Sequence, residues 1–216
     1  VLLEPIQGEG GVNMPPAGYL AAARELCDKH GALLLFDEIQ TGIGRTGKWF
    51  AFEHTGIRPD VMSIGKGLGG GFPIGAFLAS ERVARAFSAG DHGSTFGGSA
   101  LACAAANAVL DIMERDGLVG NAAKMGRYLK EKLAALQEKH PQQIKDVRGQ
   151  GLLVGAQLHG EGKPVVEACL SKGLILNCTA GKVLRFVPPL TVNEQEIDFA
   201  VTVLDEVLSS GNQEKE

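Results

Sequence analysis

The chain has 216 residues, of which 44% are hydrophobic and 21% charged, and its formal net charge is −4. It is long enough to bury one large core or two small ones, and its acidic balance argues against nucleic acid, whose phosphates call for a basic face. No apolar run approaches the roughly 20 residues that span a bilayer, no signal-peptide pattern opens the chain, and the cysteines Cys27, Cys103, Cys169 and Cys178 lie scattered among apolar neighbours. They read as free thiols of a cytoplasmic protein, with no disulfide frame and no metal site.

Val1-Leu2-Leu3-Glu4-Pro5 reads as the end of a buried strand, so a further segment is expected before it. Residues 15–30 are predicted as a helix. Pro15 and Pro16 suit its start, Tyr19, Leu20, Ala23, Leu26 and Cys27 recur at helical spacing, and Gly31 stops it. The apolar run 32–36, closing on Asp37-Glu38, has the length and turn signals of a buried parallel strand. Residues 61–64 and 74–78 are predicted as two more. Alternating strands and helices make this an α/β fold with a mostly parallel sheet. Helices follow at 100–114 and 121–140, the second amphipathic and ended by Pro141. The pattern then changes. Strands at 144–147 and 152–158 flank Arg148-Gly149-Gln150-Gly151, a helix covers 164–172, strands cover 175–177 and 183–186, and a last helix runs from Glu194 to Leu208 before a polar tail from Ser209. The expected domains are a partial large α/β domain at 1–119 and a small C-terminal α+β domain at 120–216.

Many of the 30 glycines cluster at 8–11, 42–47, 65–71 and 93–98, which points to loops that approach a ligand. Two of the resulting patterns are decoys. Gly42-Ile43-Gly44-Arg45-Thr46-Gly47 spells a dinucleotide fingerprint, and residues 42–48 nearly spell a P-loop. Both need strand, tight turn and helix in immediate succession. Here five residues separate the strand from Gly42, and Trp49 stands where a P-loop needs Ser or Thr.

Lys66 and Asp37 carry more chemistry. Each follows or ends an apolar strand of an α/β sheet, where ligands bind. Lys66 there reads either as a solvated loop lysine or as a partly desolvated one whose freed amine suits Schiff-base chemistry, and position alone favours neither. Pyridoxal phosphate needs two protein groups above all: a lysine for its aldehyde and an acid for its pyridinium nitrogen.

Further segments fit one family in order. Glu4-Pro5-Ile6-Gln7-Gly8-Glu9-Gly10-Gly11, Asp37-Glu38-Ile39-Gln40-Thr41-Gly42, Gly44-Arg45-Thr46-Gly47 and Ser63-Ile64-Gly65-Lys66-Gly67-Leu68-Gly69-Gly70-Gly71 resemble the class III (subgroup II, ω-amino acid) aminotransferases. So do His92-Gly93-Ser94-Thr95-Phe96-Gly97-Gly98 and Arg185-Phe186-Val187-Pro188-Pro189-Leu190. One departure is Ser99-Ala100, where the family often has Asn-Pro.

The resemblance implies a fold-type I transferase that uses pyridoxal 5'-phosphate, and a role for each matching position. Lys66 is the implied cofactor lysine and catalytic base, and Asp37 the pyridinium partner. Gln40 is implied on the ring hydroxyl and Ile39 on one ring face. Thr95 reaches the phosphate of a neighbouring subunit, which implies a homodimer with shared sites. Ser94 goes with the substrate side. Arg185 grips the α-carboxylate of glutamate or 2-oxoglutarate, and Glu9 covers Arg185 when an ω-amine donor is bound. A salt bridge between domains is the structural alternative for that pair. The expected donor is N-acetylornithine or a close N-acyl-ornithine relative, which fits arginine biosynthesis. Ornithine, 4-aminobutyrate and a glutamate-1-semialdehyde-type aminomutase are the alternatives. The family's own-subunit phosphate segment and second ring-stacking aromatic lie upstream of Glu4, so this chain alone is expected to bind the cofactor poorly.

Overall fold

The computed structural model describes residues 1–210. They fall into two compact units: Val1–Pro5 with Pro15–Val119, and Ile6–Met14 with the residues from Gly120 on.

In the first unit, β1 (Leu2–Leu3), β2 (Leu35–Asp37), β3 (Val61–Ile64) and β4 (Ala76–Ala79) form one sheet in that order. β1, β2 and β3 are parallel, and β4 is antiparallel to β3. Helix α1 (Tyr19–His30) places Leu20 and Cys27 against Leu34 and Phe36 of the β2 region. These two helix residues lie two turns apart on one face. The helix begins at Tyr19, four residues later than predicted, because Pro16 biases Pro15 away from helical geometry and Gly18 stands in the left-handed region at φ 81°. Gly31 ends it, also left-handed at φ 65°, donating to the carbonyls of Cys27 and Asp28.

Strand β2 starts at Leu35, not at the predicted Ala32, because a carboxylate takes Leu34 N–H: Asp60 Oδ2 accepts from it at 2.9 Å. β1 stands at one end of the strand order. After β4 come the short α2 (Glu81–Ala84) and the long α3 (Ala100–Arg115). α3 packs against a one-turn 3-10 helix, Lys66–Gly69, and Val109 leaves no room for a side chain at Gly70.

The second unit contains α4 (Leu118–Lys139, whose first two residues precede it), β5 (Ile144–Gln150), β6 (Leu153–Leu158), α5 (Lys163–Ser171), β7 (Asn177–Thr179), β8 (Val183–Phe186) and α6 (Glu194–Ser210). Its sheet has the order β5-β6-β8-β7, all neighbours antiparallel. Leu129, Leu133 and Leu136 of α4 pack with Val154, Ala156, Leu184 and Leu204 in one core. Arg148-Gly149-Gln150, expected as a break between strands, is the end of β5. β7 lies two residues later than the predicted strand at 175–177, with Ile175 exposed. Ser209 and Ser210 continue α6, and the rest of the expected polar tail, residues 211–216, lies outside the described residues.

The expected assignment of 1–119 to one domain needs a correction: Ile6–Met14 belongs to the second unit. Gln7 and Asn13 close this segment by a backbone bridge, fully buried Val12 packs on Leu153, and Arg148 donates to the carbonyls of Gly11 and Val12.

Asp60 ties the first unit together. Its carboxylate accepts from Arg24 of α1 at 2.8 Å, Leu34 N before β2 at 2.9 Å and Arg82 of α2 at 2.7 Å. Burial pushes this carboxyl up, but the donors outweigh it and hold it at about 2, below the ordinary 3.8. A depressed folded-state value stabilises the fold above the unfolded value, and that stability is lost as pH falls through the folded one. Asp60→Asn is therefore expected to lower stability at neutral pH and to flatten its loss between pH 3.8 and about 2, as read by acid titration of circular dichroism.

A close backbone approach sets a second test. A Cβ on Gly126 of α4 would overlap the backbone of Gly151, leaving α4 nowhere to shift without opening the core. Gly126→Ala is expected to cost about 3 kcal/mol in urea unfolding.

Candidate active site

The carboxyl ends of two parallel neighbours carry the first group of residues. Asp37 is the last residue of β2 and stands in register opposite Ser63 of β3. Its Oδ1 accepts from Ile39 N at 2.9 Å and from Ser63 Oγ at 3.3 Å. Both hydrogen bonds fall on one oxygen, which leaves Oδ2 for a further donor. The chain leaves β3 through buried Gly65 and reaches Lys66, which adopts a left-handed φ of 45°. A non-glycine residue held there stores strain that the surroundings must enforce, and the packing of α3 on the turn Lys66–Gly69 supplies that enforcement. Gly65 lies beside Ile39, whose Cγ atoms would stand 3.7 Å from a Cβ at that position. Ile39 and Gln40 are half-buried. Partial desolvation of Lys66 is not supplied by the described residues, for its side chain is exposed.

The loop after Asp37 is shaped by Glu38, a residue whose importance the sequence did not signal. It is fully buried and accepts from Thr41 Oγ1, Ala51 N and Phe52 N. Burial pushes its carboxyl up and these three donors oppose that shift. Gly42 is required where it stands, since a Cβ would come within 2.8 Å of the Glu38 carbonyl oxygen. Burial pulls the Arg45 guanidinium down to about 10. Beyond Gly42 the chain runs through a set of turns into a short 3-10 helix, Ala51–His54. Neither the dinucleotide fingerprint nor the P-loop has the helix it needs. Ser94 and Thr95 sit exposed in the loop before α3, with Gly97 folded closely against Ser94.

The second unit carries the paired Arg185 and Glu9. Arg185 lies on β8 with its side chain 12% exposed, and its Nη1 pairs with Glu9 Oε1 at 2.6 Å. Glu9, 68% exposed, sits in the loop closed by the Gln7–Asn13 bridge. The pair lies within one unit and is not a bridge between two. Thr179, the last residue of β7, is buried and donates through Oγ1 to the main-chain carbonyl of Glu9, with Glu9 Oε2 at 3.3 Å. Arg148 clamps the far end of the same loop. Its Nη2 donates to the Gly11 carbonyl at 2.6 Å and to Asn13 Oδ1 at 3.2 Å, while Nη1 holds Asp146 and Gln157. Sequence reasoning assigned nothing to Thr179 or Arg148. The only local signals were Arg148 beside two glycines and Thr179 at a turn whose next two residues, Ala180 and Gly181, are left-handed.

The class-III aminotransferase model matches residues 1–208. The chain belongs to the class-III aminotransferase family. Its fold is that of the fold-type I pyridoxal-phosphate transferases. It is 51% identical over 210 residues to an acetylornithine aminotransferase of Caldanaerobacter subterraneus subsp. tengcongensis, covering 97% of this chain and 53% of that protein. An ornithine aminotransferase of Staphylococcus aureus is 46% identical over 211 residues, with the same 97% and 53% coverage. A solved ornithine aminotransferase of Toxoplasma gondii, described with partial occupancy of PLP at its active site, superposes with a TM-score of 0.92 at 38% identity, covering 99% of this chain and 51% of that one. The chain thus spans about half the length of the relatives it matches. Among the described residues no helix is long and apolar enough to cross a membrane, and no cluster of metal-ligating side chains is present.

Arg148 offers a direct test of how the Glu9 loop of this class-III aminotransferase is held. Lysine keeps the charge but lacks the fork that reaches two carbonyls at once. In Arg148→Lys the amides of Gly11, Val12 and Asn13, which close the loop onto Gly8 and Gln7, are expected to exchange roughly tenfold faster with deuterium.

Proposed function

We propose that the protein is a pyridoxal-phosphate-dependent aminotransferase that moves the ω-amino group of N-acetylornithine, or a close N-acyl-ornithine relative, to 2-oxoglutarate. The observation that carries this reading is the pairing of chemistries in one chain. Asp37 ends one of two adjacent parallel strands and the Lys66 turn follows the other, and a separate arginine, Arg185, is paired with the exposed Glu9. Relatives named acetylornithine aminotransferase at about half identity support the donor. Ornithine is the second donor, favoured by the Staphylococcus aureus relative. The proposed setting is cytoplasmic and arginine-biosynthetic, and the acetylornithine aminotransferase relatives support its biosynthetic part.

The residues present fit the cofactor. Oδ2 of Asp37 is left for a protonated ring nitrogen, a lysine stands one strand away, and Gly65, Gly67, Gly69, Gly70 and Gly71 let the backbone approach closely. When bound, pyridoxal phosphate supplies an aldehyde that captures amines and a protonated ring that draws electrons from the captured carbon. Asp37 holds the proton on the ring nitrogen, and Ser63 and the Ile39 amide hold Asp37. Lys66 Nζ moves the proton to and from the substrate carbon. Ile39 would pack on a ring face of the bound cofactor and Gln40 would bond its ring hydroxyl. Arg185 binds the α-carboxylate of glutamate in a bidentate fork, and Glu9 neutralises Arg185 while the ω-amine donor is bound. Ser94 lines the substrate side.

Thr95 reaches the phosphate of a second copy in a homodimer. Exposed apolar residues near it, Phe96 at 84% and Leu101 at 66%, support that interface.

The test uses the full-length protein. Incubation with pyridoxal phosphate and borohydride is expected to label Lys66, as read by peptide mapping, and label on another lysine would contradict the reading. Asp37→Ala is expected to keep that label while losing at least ~10²-fold in turnover.

A further inference from the structure

The geometry points to Thr179 as a positioning residue that sets the choice between the two amino donors, by anchoring the main chain of Glu9 so that only its side chain swings. This rests on the two-donor reading above.

The sheet register puts Thr179 where it can act. β7 and β8 pair antiparallel with Thr179 opposite Val183 and Asn177 opposite Arg185. Side chains two apart share a face, so Thr179 and Arg185 are diagonal neighbours on one face of the sheet. The Glu9 carboxylate spans them, with Oε1 on Arg185 Nη1 at 2.6 Å and Oε2 3.3 Å from Thr179 Oγ1. The hydroxyl has one proton, and the Glu9 carbonyl accepts it. That bond does not depend on where the Glu9 side chain lies, so it survives when the carboxylate leaves Arg185.

Without it, the Glu9 stretch would be held only by the turn bonds of its own loop and by Arg148 further along, with the Glu9 side chain two-thirds exposed. Ordering such a side chain against Arg185 offsets part of the Coulomb gain. Thr179 at Glu9, and Arg148 at Gly11 and Val12, hold both ends of the loop before the pair forms. They reduce the ordering cost and so raise the fraction of protein in which Glu9 covers Arg185. Glutamate needs the uncovered form, and its apparent dissociation constant scales inversely with the fraction uncovered. An ω-amine donor does not compete with Glu9 for Arg185.

The experiment is a single-turnover half-reaction on the full-length holoenzyme with glutamate and, separately, N-acetylornithine. Thr179→Val removes the hydroxyl at nearly constant shape. It is expected to lower the apparent dissociation constant of glutamate roughly fivefold, with little change in the saturating rate or in the constant for N-acetylornithine. Thr179→Ser keeps the hydroxyl and is expected to restore the parent ratio, which a merely structural defect would not do. In a Glu9→Ala background Thr179→Val is expected to have no further effect. If Glu9→Ala shifts the ratio and Thr179→Val leaves it unchanged, the role of Thr179 is overturned while the two-donor reading stands. If Glu9→Ala itself changes nothing, both fall. A Thr179→Val shift that persists without Glu9 overturns the proposal as well, since the threonine would then act by another route.

Discussion

The parallel pairing of β2 with β3 is the constraint from which the candidate cofactor site arises. Register places Leu35, Phe36 and Asp37 opposite Val61, Met62 and Ser63, so the two strands end together. Fully buried Phe36 and buried Met62 and Ile64 hold that register from within the core, because a slip of one residue would turn each of them to the opposite face. Once it is held, a carboxylate and an amine arrive on neighbouring strands with no long-range search. Asp60 reinforces the same alignment at the other end of the strands, where Arg24, Leu34 and Arg82 converge on one carboxylate. The strain at Lys66 is then local, borne by one left-handed residue at the start of a turn that α3 packs upon.

The second unit works by the opposite logic. Where the first fixes its charged groups on strand ends, the second places one of the pair on a loop. Arg185 lies on β8 with its side chain largely enclosed, while Glu9 is exposed and held through both its carbonyl and its carboxylate. A fully buried ion pair would be costly to open, whereas here the carboxylate side is open to water, which leaves it accessible to a competing anion. The proposed function calls for such a pair, closed in one half-reaction and open in the other.

Local signals carried much of this. Val61–Ile64 and Val183–Phe186 occur where short apolar runs between turn residues place them. Asp37 and Lys66 were legible because strand ends are where α/β sheets bind ligands, and because two residue types met the two needs of one cofactor. The start of α1 was misplaced because two prolines that suit a first helical turn here precede it. The larger misreading, assigning Ile6–Met14 to the first unit, has a plain cause. The groups that hold this segment are far away in sequence: Arg148 is 137 residues from Gly11, and Thr179 is 170 from Glu9. Periodicity and spacing report neighbours along the chain, and neither reports which distant arginine closes a loop. Strand position left Lys66 open between a solvated and a partly desolvated side chain, because it predicts where a side chain emerges but not what covers it; among the described residues Lys66 is exposed.

The central proposal is that one protein takes two different amino donors through one cofactor. The measurement that tests it most directly is the visible spectrum of the full-length protein with pyridoxal phosphate, taken before and after addition of N-acetylornithine or glutamate, each alone. The account predicts a cofactor band that bleaches with either donor and returns on adding 2-oxoglutarate. A band that bleaches with neither, or that bleaches with N-acetylornithine and is indifferent to both glutamate and 2-oxoglutarate, would contradict it.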